Sequence, residues 1–225
     1  MRSLNNSFQE LAESVPATVG VAIASADAVA SFGSWLTGVA WSTIKVPLAI
    51  AALRAGVGSR ELVATAIMQS DNAAAEELWS QLGDPADAAQ QVQAVINDPT
   101  TVVESRRHRA EYTAFGQTQW SLVRQARFAA LLPSISDASG VIDLMHNLCH
   151  DHRWGLAAKG FAAKGGWGPG ISDGYLVRQF AIIPAEAGHI GVALAADAQD
   201  GVFETGIDVL NDLTDWFVDA ALPQY

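Results

Sequence analysis

The sequence predicts an α+β fold in which one sheet is assembled from both ends of the chain, with a helical lobe inserted between its second and third strands. Two short apolar, β-prone runs near the amino terminus and three more beyond residue 155 have the composition of strands. The segment between these groups shows helical periodicity interrupted by glycine and proline. The closing segment has an amphipathic pattern typical of a helix that packs on a sheet.

The elements follow one another in a simple order. A short helix around Ser7–Ser14 precedes a hairpin whose strands are Thr18–Ser25 and Val29–Ser34. The predicted helices of the middle segment are 42–54, 59–68, 73–82, 119–132 and 140–150. The last three strands are Ala158–Ala163, Tyr175–Ile183 and His189–Ala195, and a helix over 203–217 ends the chain. We therefore assign 1–41 and 158–225 to a sheet part and 42–157 to an inserted helical part of one compact unit.

Length and charge exclude several classes of protein. The chain has 225 residues, with 13 Lys and Arg against 24 Asp and Glu, so its formal net charge is −11. Such an acidic chain lacks the basic stripe that binds phosphate backbones, and no nucleic-acid partner is expected. The longest uncharged run, Ala28–Ile44, contains glycines and hydroxyl residues and predicts no membrane span. Glu10 and Glu13 fall where a signal peptide would be apolar, and the single Cys149 excludes an internal disulfide.

The pair Ser42 and Lys45 is the first candidate for chemistry. Residues three apart on a helix share a face, so the lysine ammonium can reach the serine hydroxyl. Lysine acts as a base only if its pKa falls from about 10.4 toward 7, which desolvation or a second nearby cation achieves. A serine at the start of a helix also lies beside unpaired backbone N–H groups that can bind an oxyanion. Alone, the S-x-x-K pattern is more often an ordinary surface pair.

Two further motifs follow in the chain and make coincidence the poorer explanation. Ser70-Asp71-Asn72 falls between two predicted helices, and Lys164-Gly165-Gly166 falls at the end of the third predicted strand. The three motifs in this order resemble the signature S-x-x-K, S-D-N and K-T-G of the serine β-lactamase and penicillin-binding protein superfamily. The residues around Ser70 also look like the class A β-lactamases. The resemblance covers most of the chain and implies a five-stranded antiparallel sheet with an inserted helical domain.

The resemblance implies a role for each matching residue. Ser42 would be the acylated nucleophile, Lys45 its proton acceptor, and Ser70 would pass the proton to the leaving nitrogen. Asn72 would bind a substrate amide, Lys164 would supply positive potential for a substrate carboxylate, and Asp71 would be structural. The backbone N–H groups of Ser42 and Trp167 would form the oxyanion hole, with Gly166 allowing close backbone approach. The implied substrates are small molecules, β-lactams or peptides ending in D-Ala-D-Ala, and no cofactor or metal is expected.

Three departures from the family pattern bear on turnover. Only 28 positions separate Ser42 from Ser70, a shorter interval than in class A enzymes, which predicts a more open cleft. Gly165 replaces the family's hydroxyl residue in the third motif. The candidate bases for deacylation are Glu111, which lies in a weak match to the family's Arg-x-Glu, and the nearby Glu104. The alternative is that this segment is a solvated charged loop with local ion pairs and supplies no base.

Other interpretations stay open at this point. A slow penicillin-binding or peptidoglycan-binding module would have the same fold with little turnover, and an esterase would use the same Ser-Lys pair on another acyl group. His146, Cys149 and His150 have the spacing of metal ligands on a helix end, against the more common case of a capped helix with a packed cysteine. The family works outside the cytoplasm, whereas the chain shows no signal peptide, so the compartment stays open.

Overall fold

The predicted elements occur in the predicted order, and the structure adds one helix and two short strands that the sequence did not predict. A computed structural model of the chain describes residues 3–170, 174–185 and 188–225. Helix α1 (Leu4–Ser14) begins at Ser3, whose hydroxyl accepts a hydrogen bond from the backbone of Asn6. Strands β1 (Ala17–Ala24) and β2 (Val29–Gly33) then form the predicted hairpin. A three-residue strand, β3 (Thr37–Val39), follows and was not predicted.

The middle of the chain is mostly helical. Its helices are α2 (Lys45–Arg54), α3 (Arg60–Met68), α4 (Asn72–Gln81), α5 (Pro85–Ile96), α6 (Leu122–Leu131) and α7 (Ser139–His146). The prediction of helix from residue 119 is wrong, because β4 (Gln119–Ser121) pairs antiparallel with β3 and α6 begins only afterwards. Residues 97–114 form no regular helix or strand.

The carboxyl-terminal part completes the main sheet. It contains β5 (Ala162–Pro169), β6 (Tyr175–Ala185), β7 (Gly188–Ala198) and helix α8 (Phe203–Trp216). The described residues form an antiparallel sheet of order β2-β1-β7-β6-β5, so both ends of the chain contribute to it. The predicted α+β fold with a five-stranded antiparallel sheet, terminal helices and inserted helices is confirmed.

The position of the third predicted strand was wrong. Residues 155–159 form a short 3-10 helix that ends at Gly160, whose φ of 84° favours glycine, and the strand runs from Ala162 to Pro169. Lys164 therefore lies inside β5 rather than at its end. The segment has few β-branched residues and three glycines, so its strand structure depends on pairing with β6 and on packing against the turn that holds Ser42.

Two apolar cores lie on opposite faces of the sheet. Helices α1 and α8 cover one face with residues such as Phe8, Leu210 and Leu213. Helix α6 lies on the other face, where its Phe128 joins a core that continues into the inserted helices. In the described part of the chain, no single helix is long and apolar enough to cross a membrane. Two helical stretches, 122–134 and 139–146, are long and apolar enough for a membrane span only when taken together, and they meet at a bend of 116°.

Candidate active site

Ser42 lies in a tight 3-10 turn, residues 41–44, between β3 and α2. Trp41 immediately before it has a φ of 48°, a left-handed conformation that costs a tryptophan on the order of 1–3 kcal/mol. Ser42 is half-buried and lines a cavity of about 410 Å³. Its hydroxyl makes no hydrogen bond to any residue that the structure describes. The side chain is therefore free to face a ligand in that cavity.

The start of α2 also settles the effect of Pro47. In the interior of a helix, this proline would remove a backbone hydrogen bond to Thr43 and bend the chain near Ser42. Because α2 begins at Lys45, Pro47 falls in the first helical turn, where backbone N–H groups have no intrahelical partner. Proline is well tolerated there, so the expected disturbance is absent.

Lys45 is almost fully buried at the first position of α2, with an exposed fraction of 1%. Its Nζ donates to Asn72 Oδ1 at 2.7 Å and to the carbonyl oxygen of Ser70. Burial lowers the pKa of Lys45 to about 7, although the Asp71 carboxylate opposes the shift. An amine with a pKa near neutrality is an effective proton acceptor at physiological pH.

Ser70 connects this lysine to a second one. It lies between α3 and α4 with a φ of 53°, and its hydroxyl accepts a hydrogen bond of 2.7 Å from Lys164 Nζ. Lys164 also donates to the carbonyl oxygen of Gly165 at 2.8 Å. Burial and the neighbouring Lys45 hold the pKa of Lys164 well below its usual value. The lysines thus approach Ser70 from two sides, one at its carbonyl and one at its hydroxyl.

The remaining residues of the second motif begin helix α4. Asp71 is its N-cap, and Asp71 Oδ1 accepts a hydrogen bond of 2.7 Å from the backbone of Ala74. Asn72 follows as the first helical residue and places its amide in the cavity wall. The cap orients the start of α4, and thereby the hydrogen bond between Asn72 and Lys45.

Strand β5 brings the third motif against the Ser42 turn. A methyl group added to Gly166 would lie 2.7 Å from the backbone nitrogen of Ser42 and 2.9 Å from the carbonyl oxygen of Ala40. Only glycine allows this approach. Trp167 lines the cavity, and its ring centroid lies 5.1 Å from that of His152 and 5.4 Å from that of Phe203. Of the predicted site residues, six line the cavity, while Lys164 and Gly166 lie behind its wall.

The two candidate glutamates differ in position. Glu111 is exposed and lines the same cavity as Ser42, and its carboxylate makes no hydrogen bond or ion pair within the described part of the chain. Glu104 lies outside the cavity lining, and its carboxylate is 2.9 Å from His108 Nε2. A third carboxylate, Glu76, lines the cavity but pairs with Arg107 at 2.7 Å. Glu111 is therefore the candidate base that faces the cavity without a competing cation.

Gln117 organises the loop that carries Glu111, and sequence reasoning missed it. Its buried amide nitrogen donates to three carbonyl oxygens, those of Arg109 at 3.0 Å, Tyr112 at 3.3 Å and Thr113 at 3.2 Å. Its Oε1 accepts from the backbone of Arg109 at 2.8 Å. The loop then touches the turn that contains Ser42, because the Tyr112 and Trp41 rings lie 4.9 Å apart. A glutamine in an irregular loop has no sequence pattern that reveals such a role.

A second missed group is a buried chain of polar side chains behind the Ser42 turn. Arg178 on β6 donates to the carbonyl oxygens of Gly38, Val39 and Trp120 and, at 2.9 Å, to Gln125 Oε1. Gln125 in turn donates to Thr43 Oγ1 at 2.9 Å, and Thr43 donates to the carbonyl oxygen of Ala40 at 2.6 Å. Burial lowers the pKa of Arg178 to about 9. The chain links the sheet, α6 and the turn that contains Ser42.

The possible metal ligands near the end of α7 are dispersed. Cys149 Sγ lies 3.1 Å from His152 Nδ1, whereas the fully exposed His150 lies 3.4 Å from its neighbour Asp151. Within residues 3–170, 174–185 and 188–225, no three His, Cys, Asp or Glu side chains converge as a metal site. Burial and the positive charge of Lys164 lower the pKa of His152.

Comparison with solved structures tests the expected fold. No protein-family model matches the chain, and no curated protein sequence does. A β-lactamase from Chitinophaga pinensis DSM 2588 superposes with a TM-score of 0.77 at 18% identity, over 98% of this chain and 100% of the other. A class A β-lactamase from Bacteroides cellulosilyticus DSM 14838 gives 0.76 at 12% identity, over 97% and 98%.

The TLA-3 extended-spectrum β-lactamase is a third example, with a TM-score of 0.76 at 13% identity over 97% of this chain and 98% of its own. At these identities the likeness concerns the fold, and it extends over almost the whole length of both chains. The three short motifs resemble those of the serine β-lactamases, and the structure confirms the fold that this resemblance implies. The chain has the fold of the class A β-lactamases.

Proposed function

We propose that the protein is a serine hydrolase that forms an acyl-enzyme on Ser42 with β-lactams or with peptides ending in D-Ala-D-Ala. One observation carries the proposal. Lys164 donates to the hydroxyl of Ser70 and Lys45 to its carbonyl oxygen, and Lys45 and Ser70 line the same cavity as the half-buried Ser42. We further propose that the segment 42–157 and the sheet part act as one catalytic unit, since residues of both line the cavity.

In the proposed acylation step, Ser42 Oγ attacks the carbonyl carbon and its proton passes to Lys45. The pKa of Lys45, about 7, supports this role, because a large fraction of the amine is neutral at physiological pH. Ser70 then donates its hydroxyl proton to the leaving nitrogen as the bond between the acyl carbon and that nitrogen breaks, and the Lys45 ammonium returns a proton to Ser70. The N–H groups of Ser42 and Trp167 bind the oxyanion, each contributing on the order of 3–4 kcal/mol to the transition state.

Deacylation in this proposal uses Glu111 to activate a water molecule. The water attacks the acyl carbon, the ester bond to Ser42 Oγ breaks, and the serine recovers its proton. Glu111 faces the cavity, which supports the role. However, no hydrogen bond within the described residues holds its carboxylate in place, and this favours slow turnover. A penicillin-binding module that keeps its acyl group is therefore the second candidate function.

Intact-protein mass spectrometry after incubation with labelled penicillin separates these candidates. A mass increase that is absent in Ser42→Ala supports acylation of Ser42. Loss of the adduct within minutes, with release of the hydrolysed product, identifies a β-lactamase, whereas a persistent adduct identifies the binding module. No adduct with any acyl compound, in protein that melts cooperatively, would refute the acyl-enzyme proposal.

A further inference from the structure

We propose that Arg109 binds a carboxylate on the acyl side of the substrate, so that the Ser42 site prefers β-lactams or peptides whose acyl group carries a negative charge in addition to the one beside the leaving nitrogen. The inference rests on the proposed acyl-enzyme chemistry and names the substrate class of that site. It adds no chemical step, because Arg109 contacts the bound substrate and takes part in no proton transfer. Arg109 is thus a specificity-determining residue.

The first observation is a guanidinium whose hydrogen-bond donors have no acceptor. Arg109 Cζ lies 5.1 Å from the centroid of the Trp41 ring and 4.8 Å from that of the Tyr112 ring. Such contacts hold the positive charge in place without using its N–H donors. No hydrogen bond or ion pair joins these donors to any residue that the structure describes, although Glu111 follows two positions later. The planar guanidinium is therefore available to a carboxylate, which it can bind through two parallel hydrogen bonds.

The second observation is that the backbone of Arg109 is fixed. Its N–H group donates to Gln117 Oε1 at 2.8 Å, and its carbonyl oxygen accepts from Gln117 Nε2 at 3.0 Å. The same carbonyl oxygen accepts from the backbone of Tyr112 at 3.2 Å. The side chain is half-buried. A cation that is held at its backbone and at its charged end loses little conformational freedom when it binds an anion, and this favours affinity.

The third observation concerns the two rings that hold the guanidinium. Trp41 and Tyr112 both line the Ser42 cavity, and their ring centroids lie 4.9 Å apart. The Trp41 ring occupies the side-chain space of Gly168 on β5, where a methyl group would lie 2.6 Å from Trp41 Cε2. Arg109 is not itself a lining residue of the cavity. A substrate therefore reaches its guanidinium by extending past these two rings.

Strand β5 shows which part of the substrate points toward those rings. Every second residue of a strand faces the same side, so Lys164 and Gly168 lie in one row, about 13 Å apart. Lys164 donates to Ser70 Oγ at one end of the row, and Gly168 lies against the Trp41 ring at the other. The turn that contains Ser42 packs against the strand between these ends. The order along the site is therefore Ser70, Ser42 and then the rings.

This order places the acyl group of the substrate beside Arg109. In the proposed acylation the leaving nitrogen lies next to Ser70, so the acyl group extends from Ser42 in the opposite direction. A carboxylate beside the leaving nitrogen stays at the Ser70 end and is a different group from the one that Arg109 binds. Arg107 also lines the cavity, but it pairs with Glu76 at 2.7 Å. Arg109 is thus the cation that is free to bind an anion on the acyl group.

Benzylpenicillin and carbenicillin provide a matched pair for the test, because carbenicillin has an additional carboxylate on the side chain of its acyl part and is otherwise identical. The rate constant for formation of the Ser42 adduct is measured for each compound by quenched intact-mass spectrometry, with Ser42→Ala as background. Each constant is divided by the rate constant for hydroxide-catalysed ring opening of the same compound. In the wild type, we expect the normalised constant of carbenicillin to exceed that of benzylpenicillin by about tenfold.

A variant pair tests the part assigned to Arg109. Arg109→Gln removes the charge and should bring the two normalised constants within twofold of each other. Arg106→Gln is the matched control, because it makes the same change in net charge at an exposed side chain of the same loop, and it should keep the wild-type ratio. A purely structural role of Arg109 would slow both compounds equally, so a wild-type ratio in Arg109→Gln overturns the inference. If Arg109→Gln does not fold, Arg109→Lys, which lacks the planar guanidinium, should still lower the ratio by about threefold.

The failure of this inference is distinguishable from failure of the acyl-enzyme proposal. If both penicillins modify Ser42 and the wild-type ratio of carbenicillin to benzylpenicillin is one or less, the inference is overturned and the acyl-enzyme proposal stands. If neither penicillin nor a simple aryl ester modifies Ser42, the acyl-enzyme proposal fails, and the inference fails with it.

Discussion

Replacing Gln125 by leucine removes the middle member of the buried polar chain behind the Ser42 turn. The wild-type side chain accepts a hydrogen bond from the Arg178 guanidinium and donates one to Thr43 Oγ1, both at 2.9 Å. Leucine has a similar volume but no polar atom. The variant therefore leaves one N–H group of Arg178 and the hydroxyl oxygen of Thr43 without this hydrogen-bond partner. The side chains of Arg178, Gln125 and Thr43 are all buried.

The cost follows from the two lost hydrogen bonds. A bond from a charged donor contributes about 1.5–3 kcal/mol and a neutral one about 0.5–1.5 kcal/mol, so the expected loss of unfolding free energy is about 2–4 kcal/mol. For a chain of this length, each kcal/mol shifts the melting temperature by roughly 2–4 °C. Gln125→Leu should therefore lower the melting temperature by roughly 5–15 °C.

Thermal unfolding followed by circular dichroism measures this shift. Gln119→Leu is the matched control, because Gln119 is exposed on the neighbouring strand β4 and should change stability by about 0.5 kcal/mol or less. A melting temperature for Gln125→Leu within 2 °C of the wild type would refute the reasoning, since the chain would then contribute no net stability.

Three further predictions concern the chemistry of the site. The neutral amine of Lys45 is the proposed base, and its pKa is about 7. The acylation rate should therefore rise with pH through 7 and level off above about 8. An acylation rate that falls over this range contradicts the role of Lys45. Glu111→Gln should lengthen the lifetime of the adduct by about 100-fold or more and leave the acylation rate unchanged. The control variant Glu104→Gln should change neither rate. Equal adduct lifetimes for wild type and Glu111→Gln would exclude Glu111 as the base. Gly166→Ala should slow acylation by about 100-fold, because its methyl group would displace the turn that contains Ser42. The control variant Gly140→Ala should leave the acylation rate unchanged, because its methyl group would meet nothing within 4 Å.

The parts of the fold that the sequence predicts are those with strong local patterns. The predicted helix 59–68 is present as α3, which Ser59 caps, and the turn at residues 25–28 joins two clearly apolar strands. The three motifs place Ser42, Ser70 and Lys164 in the chain, although only the structure shows that they meet. These residues converge because the helices are inserted between β3 and β5, and no local sequence pattern predicts that arrangement.

The parts that the sequence does not predict depend on tertiary contacts. Strand β5 contains a buried lysine and three glycines, and its close fit against the Ser42 turn outweighs its low strand propensity. Strands β3 and β4 are three residues each, too short for an alternating pattern. Arg178 is buried among carbonyl groups distant in the sequence that accept its hydrogen bonds. Gln117 is buried by the carbonyl groups of its own loop, whose irregular course has no sequence pattern.

Tryptic mapping of the adduct is the most direct test of the proposed nucleophile. Cleavage after Arg2 and Lys45 places Ser42 in the peptide 3–45, whereas cleavage after Arg60 and Arg106 places Ser70 in the peptide 61–106. After reaction with labelled penicillin and an acid quench, we predict an adduct on Ser42 within the first peptide. An adduct on the second peptide, or a missed cleavage caused by acylation of Lys45, would contradict the assignment of Ser42 as the nucleophile.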